Sequence, residues 1–498
     1  MVTSVSTPQK TTNASFFYIN DMHAQVPKME KIMSASQAFD TFTPSVKTDK
    51  LKFSSGDIAL GEDKNLNKSA YEFENDIGIM ASALGNHECD IDVETLSKLI
   101  KNSKFKMLAM NVDVQKGSPL DGAIKKSEIR EINGDKYGVI GLAPFDLFTR
   151  VKDKTKQNDF KIKDINTTKK DLQAEIDNLK AQGVNKIVLL SHIGYVNDVD
   201  IANSVEGIDV ILGGHSHDLI EGIQEGKNLF YSKKTGEPTI ITQTGKDGNN
   251  FGILNVTFDE NGVIKTAQNN VNPSNDFKKN MPFKFIIDKI LGKPEVVGTI
   301  KSAPPAPVHQ LIVENPHADF LADAMREETG ADIAMINSAN LRGGFEAGPV
   351  DTRDITGVTP FKNKMTVIKL NEKDMIDAIK FGGKSFASPD TKPGIIQVSG
   401  LRYTINKKGE LLSCSYLDKK SGTEVPIDVK NPNTFKTYTV AIDDFCAKGK
   451  DGFTTLNQYD NALKVYDYDK DKMAADYIKK QNNSPITIKT DGRINIVD

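Results

Sequence analysis

Apolar and polar positions along this chain fall into two textures. The first apolar run, Phe16-Phe17-Tyr18-Ile19, is aromatic and β-branched and gives way at once to Asn20-Asp21, as a strand does when it delivers polar residues into a loop. Leu172, Ile176 and Leu179 fall at helical spacing in a segment that follows Asn166-Thr167-Thr168 and stops at Gly183, which predicts a capped amphipathic helix. It feeds Ile187-Val188-Leu189-Leu190, a continuous apolar run of the buried-strand kind, and Val210-Ile211-Leu212 is another, ending in Gly213-Gly214. This alternation predicts α/β architecture, in which sites gather at the carboxyl ends of strands. Near residues 272–298 the texture changes to Asn272-Pro273-Ser274-Asn275, a Lys-rich stretch with Phe285, Ile286, Ile287 and Ile290, and Gly292-Lys293-Pro294, read as a linker with one helix. From Ile300 the pattern restarts, with an Ala-Pro-rich stretch at 303–307, a helix through Ala318–Glu328 and β-like runs at Met365–Leu370 and Thr437–Ile442. The expected division is residues 14–272, a linker at 273–298, and 299–498, after a polar tail at 1–13.

Composition narrows the class. With 38% hydrophobic and 26% charged residues and a net charge of -3, the chain reads as a globular protein without a basic face for nucleic acid or anionic membrane. No apolar run approaches the roughly 18 residues of a membrane span. The three cysteines, Cys89, Cys414 and Cys446, are too few and too scattered for a disulfide framework or a thiolate zinc site. Residues 1–12 lack an apolar signal-peptide core, which leaves a cytosolic protein or a mature form whose leader was removed.

The chemistry is concentrated in the histidines. Of seven in the chain, five, His23, His87, His192, His215 and His217, follow apolar runs or sit in Gly-flanked turns beside Asp or Asn. Asp21, Asp57 and Asn86 occupy the same kind of strand-end loop. Two cations about 3.5–4 Å apart need a carboxylate to bridge them and neutral imidazoles and carbonyl oxygens around it. Asp57, after Ser55-Gly56, suits the bridge. Asp21 and His23, at alternate positions of an extended segment, point the same way and can chelate one metal together. His215 and His217 repeat that spacing and can serve one metal each.

Asp21-Met22-His23, Gly56-Asp57, Gly85-Asn86-His87-Glu88-Cys89-Asp90, Ser191-His192 and Gly213-Gly214-His215-Ser216-His217 resemble the ordered motifs of calcineurin-like metallophosphoesterases. The Asn-His-Glu-x-Asp form and the large second domain resemble the bacterial 5'-nucleotidase and UDP-sugar hydrolase family in particular. The resemblance implies a four-layer αββα metallophosphoesterase sandwich, a helical linker and a C-terminal α+β 5'-nucleotidase-type domain. It implies that Asp21, His23, Asp57 and His217 hold one divalent metal ion, while Asp57, Asn86, His192 and His215 hold the other. Zinc and manganese suit mixed N/O ligation, with magnesium open. In the family the position of His87 is a catalytic group beside the phosphate, oriented by that of Asp90.

In the second domain, Asn337-Ser338-Ala339-Asn340-Leu341-Arg342, Pro360-Phe361-Lys362-Asn363 and Asp444-Phe445 with Gly449-Lys450-Asp451 resemble the family's substrate-binding segments. The implied roles are Phe361 and Phe445 stacking on a base, Asp451 on ribose hydroxyls, Asn363 on the base and Arg342 on a phosphate, with Asn86 also facing substrate. Two departures stand out. The segment before Asn315-Pro316-His317, where relatives acting on nucleoside monophosphates carry two further arginines, has none, and Ala339-Asn340 replaces Gly-Gly, which changes backbone freedom close to the phosphate.

The reading is hydrolysis of a nucleotide phosphomonoester, with water attacking phosphorus and a hinge between the domains carrying substrate to the metals. Two alternatives stay open: cleavage of a 2',3'-cyclic nucleotide or of a nucleotide-sugar or dinucleotide pyrophosphate, and a non-catalytic surface module that binds nucleotide or host. The resemblance implies an extracytoplasmic setting.

Overall fold

The computed structural model describes residues 11–44, 47–150, 158–307, 309–387, 393–481 and 484–498; the polar tail expected at 1–13 lies outside them up to residue 10. The chain divides into two units, Met1–Lys293 and Pro294–Asp498.

The first unit is built on two sheets. Seven strands run in the order Ile264–Pro273, Asn250–Phe258, Thr12–Ile19, Asp49–Ser54, Ala81–Ala83, Lys106–Leu108 and Ile124–Lys125. Six form the other sheet: Leu229–Tyr231, Pro238–Thr242, Val210–Leu212, Lys186–Ser191, Asp135–Leu142 and Ser127–Ile132. Phe16, Tyr18, Leu51 and Phe53 of the first sheet pack on Val139, Val188, Leu190 and Leu212 of the second. Successive side chains of a strand point to opposite faces, so Phe17 turns the other way and meets Phe39 of the helix Val26–Phe42 at 5.6 Å between ring centroids. On the outer face of the second sheet, Leu172, Ile176 and Leu179 of the helix Ile165–Ala181 pack on Ile187, Leu189 and Ile211. The layers are helix, sheet, sheet, helix. Strands buried on both sides read as unbroken apolar runs, which is why alternation is missing from them.

Three local expectations are corrected. The helix begins at Ile165 rather than after Thr168, because the Asp164 carboxylate accepts the N–H groups of Asn166 and Thr167 and so caps it. The helix Met281–Leu291, inside the stretch read as a linker, packs within the first unit: Phe283 meets Phe73 at 5.8 Å, and Asn280 N–H donates to Glu30 O. Asp21 and His23 do not lie on an extended segment, for both have φ of 49°.

The second unit centres on a five-stranded sheet ordered Ile396–Ser399, Ile333–Asn337, Thr437–Asp443, Lys364–Asn371 and Lys464–Asp469. Helices Pro316–Thr329 and Lys470–Lys480 contribute to the core on one side, and Glu372–Gly383 to that on the other. This is α+β construction.

Candidate metal centre

Parallel strands of both sheets end at the same edge, and each delivers one loop. Ile19 leads to Asp21, Ser54 to Asp57, Ala83 to Asn86 and His87, Ser191 to His192, and Leu212 to His215 and His217. Backbone bonds stitch the loops together: Asp21 N–H donates to Gly56 O at 3.0 Å and His23 N–H to Asp57 O at 2.9 Å. Gly56 and Gly85 lie so close that a Cβ on Gly85 would stand 2.2 Å from Asp57 Oδ1. Nine non-glycine residues among those described have positive φ. Asp21, His23, Asp57, His215 and His217 are five of them, a concentration of backbone strain that the surrounding packing must hold in place.

The donors converge. Asp57 Oδ2 stands 3.4 Å from His23 Nε2 and 3.2 Å from His192 Nε2. Asp21 Oδ1 lies 3.9 Å from His23 Nε2, 3.8 Å from His192 Nε2 and 3.4 Å from His217 Nε2. His215 Nδ1 faces Asn86 Oδ1 at 3.0 Å. Asp21, His23, Asp57 and His192 are all at or below 1% exposure. Burial opposes charge on Asp21, yet the nearby His192 and His217 hold its carboxyl at about 2. Burial likewise opposes charge on His192, and Asp57 and Asp21 overcome it, raising the imidazole to about 10. Burial also opposes charge on His23, and hydrogen bonds to Asp247 and Asp57 raise it to about 9. The cluster is thus a buried anionic pocket that demands positive charge.

Two observations test whether cations fit it. His192 Nε2 is buried with no hydrogen-bond partner, while its Nδ1 donates to Ser55 O at 2.5 Å. Donors sharing one cation at about 2.1 Å lie roughly 3.0–3.4 Å apart in octahedral or tetrahedral shells. The shortest spacings above match that range, and the donor set of carboxylate, imidazole and amide oxygen suits a borderline divalent ion. The residues fit.

His87 is held beside this pocket. Its Nδ1 donates to Asp90 Oδ2 at 2.6 Å, and its backbone N–H donates to Asp57 Oδ1 at 2.9 Å. Asp90 is fixed in turn by the Gly61 N–H at 2.9 Å. Three acidic side chains to which the sequence reading gives no role also touch the cluster. Glu88 accepts the N–H groups of Asp57, Ile58, Ala59 and Gly85 at 2.7–3.1 Å, joining the Asp57 loop to the Asn86 loop. Asp247 meets His23 Nδ1 at 2.7 Å, and Asp146 meets His215 Nε2 at 3.1 Å. Asp247 carries a faint signal, its Gly245-Lys246-Asp247-Gly248 turn resembling the setting of Asp57; Asp146, in Pro144-Phe145-Asp146, carries none.

In the second unit, hydrogen bonds bring the three substrate-type segments together. Asn337 Nδ2 donates to Asp451 Oδ2 at 3.1 Å, Asn340 Nδ2 to Asp443 Oδ2 at 2.5 Å, and Lys364 N–H to Asp444 Oδ1 at 2.9 Å. Asn340, where the resemblance leads one to expect glycine, does not have a positive φ, and its side chain joins the buried Asp443–Lys470 pair. Arg342 is 7% exposed, its guanidinium lies 5.4 Å from the Phe361 ring centre, and its Nε has no partner. Phe361, Asn363 and Phe445 are half-buried, and Phe445 packs against the core.

A model of the calcineurin-like phosphoesterases matches residues 14–219, and a model of the 5'-nucleotidase C-terminal domain matches 296–458. The chain is 26% identical over 536 residues to the trifunctional nucleotide phosphoesterase protein YfkN of Bacillus subtilis, covering 97% of this chain but only 34% of that protein. It is 27% identical to a probable 5'-nucleotidase of Treponema pallidum, covering 77% of this chain and 74% of that one. The crystal structure of a 5'-nucleotidase precursor from Thermus thermophilus shares the fold, with a TM-score of 0.71 at 23% identity over 98% of this chain and 100% of the other.

Proposed function

Because the chain belongs to the 5'-nucleotidase family of calcineurin-like metallophosphoesterases, we propose that it is a two-metal hydrolase removing phosphate from a nucleotide. The observation that carries this reading is Asp57 Oδ2, one carboxylate oxygen standing between His23 Nε2 at 3.4 Å and His192 Nε2 at 3.2 Å. In the proposal Asp21, His23, Asp57 and His217 hold one divalent ion, and Asp57, Asn86, His192 and His215 the other, with zinc or manganese preferred to magnesium. Such a pair, when bound, draws charge from phosphoryl oxygens and makes a water acidic enough to attack phosphorus.

The remaining work falls to the chain. Asp90 accepts from His87 Nδ1, which leaves His87 Nε2 to donate to a phosphoryl or leaving-group oxygen. A His87 ring nitrogen lies within 4.8 Å of donor atoms on His23 and Asp57, near enough to serve the same phosphate. Selectivity comes in the proposal from the second unit, with Phe361 and Phe445 stacking on the base, Asn363 bonding to it and Asp451 binding ribose hydroxyls. The unpartnered Arg342 Nε, buried against Phe361, supports a phosphate role for that side chain.

Phosphate release from nucleoside monophosphates, cyclic nucleotides, nucleotide sugars and dinucleotides, each with Mn²⁺, Zn²⁺ and Mg²⁺, tests this reading. The monoester is expected to lead; a preference of about tenfold or more for a diester or pyrophosphate would replace the monoesterase by the alternative. That alternative is favoured by the lack of arginine in Pro305-Ala306-Pro307 and His309-Gln310-Leu311. Chelation is expected to abolish turnover, Asp57→Ala to lower metal content, and His87→Ala to keep the metal while losing roughly 10²–10⁴ in kcat. Wild-type release no faster than that of His87→Ala would reduce the protein to a binding module. Among the described residues no helix is long and apolar enough to cross a membrane. The reading extends to an extracytoplasmic enzyme, which cell fractionation checks.

A further inference from the structure

The loops after the strands Asp135–Leu142 and Pro238–Thr242 reach the metal centre without carrying any residue of its motifs. Each sets one carboxylate against a histidine. We propose that Asp247 and Asp146 are positioning residues, which fix the ring nitrogen that His23 and His215, respectively, leave for a cation. The inference rests on the reading of both histidines as ligands.

An ionised carboxylate only accepts hydrogen bonds, so His23 Nδ1, 2.7 Å from Asp247 Oδ1, carries the ring proton. Nε2, the atom aimed at Asp57 Oδ2 and Asp21 Oδ1, is then the nitrogen left to a cation, which takes its lone pair by displacing any proton there. Asp247 is itself held: it is 2% exposed, its φ is 57°, and its N–H donates to Asp21 O at 2.7 Å, so ligand and support share one backbone frame.

His215 makes the sharper case. Its two nitrogens face Asp146 Oδ1 at 3.1 Å and Asn86 Oδ1 at 3.0 Å, and both neighbours are acceptors. A neutral ring has one proton to offer, and the carboxylate is the stronger acceptor. Nδ1 then turns a lone pair on the lone pairs of Asn86 Oδ1. That contact is repulsive alone and favourable with a cation between them; two ligands at right angles, each about 2.1 Å from an ion, are separated by this distance. His192 divides its nitrogens in the same way, with Ser55 O as the outer acceptor. The two proposed supports differ in exposure, the Asp247 side chain being 3% exposed and the Asp146 side chain 38%. The larger effect therefore belongs to Asp247.

Calorimetric titration of the full-length, metal-stripped protein with Zn²⁺ and Mn²⁺ tests this, comparing wild type, Asp247→Asn and Asp146→Asn. Wild type is expected to bind two cations. Each variant is expected to weaken one of them by about 10- to 100-fold and to keep the other. The melting temperature of the metal-free protein separates this effect from general loss of structure. Long-range ¹⁵N–¹H spectra of the Zn²⁺-loaded wild type supply a readout that does not depend on the variants folding. The proton is expected on Nδ1 of His23 and on Nε2 of His215. Two wild-type cations retained at full affinity in both variants, or a spectrum with the opposite nitrogens protonated, would overturn the positioning role. A wild type that binds fewer than two cations would instead overturn the ligand reading.

Discussion

Several side chains here are placed at a cost, and Glu74 is the plainest. It is fully buried on the helix Lys64–Ile77. Burial, reinforced by the Glu88 charge nearby, pushes its carboxyl up to about 8 from an ordinary 4.5. The folded protein therefore keeps a proton that the unfolded chain releases above that ordinary value. The contribution of this group to stability is expected to fall as pH rises from about 5 to about 8, by roughly 1.4 kcal/mol per unit at full effect. Glu74→Gln cannot ionise, so subtracting its denaturant-derived stability from that of wild type across this window is expected to return that slope. Equal slopes would mean that Glu74 ionises in the folded state. Glu88 is buried too, and burial together with the Asp57 charge raises its carboxyl to about 7, but it differs from Glu74 in accepting four backbone N–H groups from two loops.

At the scale of elements, the site is a property of strand ends. A helix in this fold is a buttress, and its loss of stability need not touch the chemistry. Asp164→Ala removes the cap of the helix Ile165–Ala181 and is expected to cost about 1 kcal/mol, lowering the melting temperature while leaving kcat/KM at its wild-type value. Gly85 shows the reverse sensitivity. An alanine there would press its Cβ within 2.4 Å of Asp57 N as well as on Asp57 Oδ1, so Gly85→Ala is expected to strip bound metal and activity together. Elemental analysis of the purified variant checks it, and normal metal content would show that the two loops can move apart.

For the whole molecule, the division at Lys293 and Pro294 separates two sets of hydrophobic cores, those of the first unit gathered between and outside its two sheets, those of the second around the five-stranded sheet. A unit with its own core can fold alone. Residues 1–293 carry every proposed metal ligand, so the isolated first unit is expected to cleave bis(p-nitrophenyl) phosphate at a kcat within about tenfold of the whole chain. Its KM for a nucleotide is expected to rise by at least about tenfold, since remote contacts supply binding that the metals do not. An unchanged nucleotide KM would place recognition in the first unit.

Much of this was legible in the chain itself. Apolar runs such as Ile187–Leu190 marked strands because a strand covered on both faces must be apolar throughout, and the four loops that bear the five histidines followed those runs because carboxyl strand ends are where parallel sheets expose polar groups. Donor chemistry is a property of residue type, so the candidate ligands could be named without coordinates. Tertiary structure alone decided the rest. The left-handed backbone at Asp21 and His23 is set by hydrogen bonds to Gly56 and Asp57, and the nitrogen that each ring presents is set by partners as distant as 224 residues, the separation of His23 and Asp247. Local pattern carries period and polarity. It does not carry which acceptor a folded chain brings within 3 Å of an imidazole, and on that distance the orientation of this centre depends.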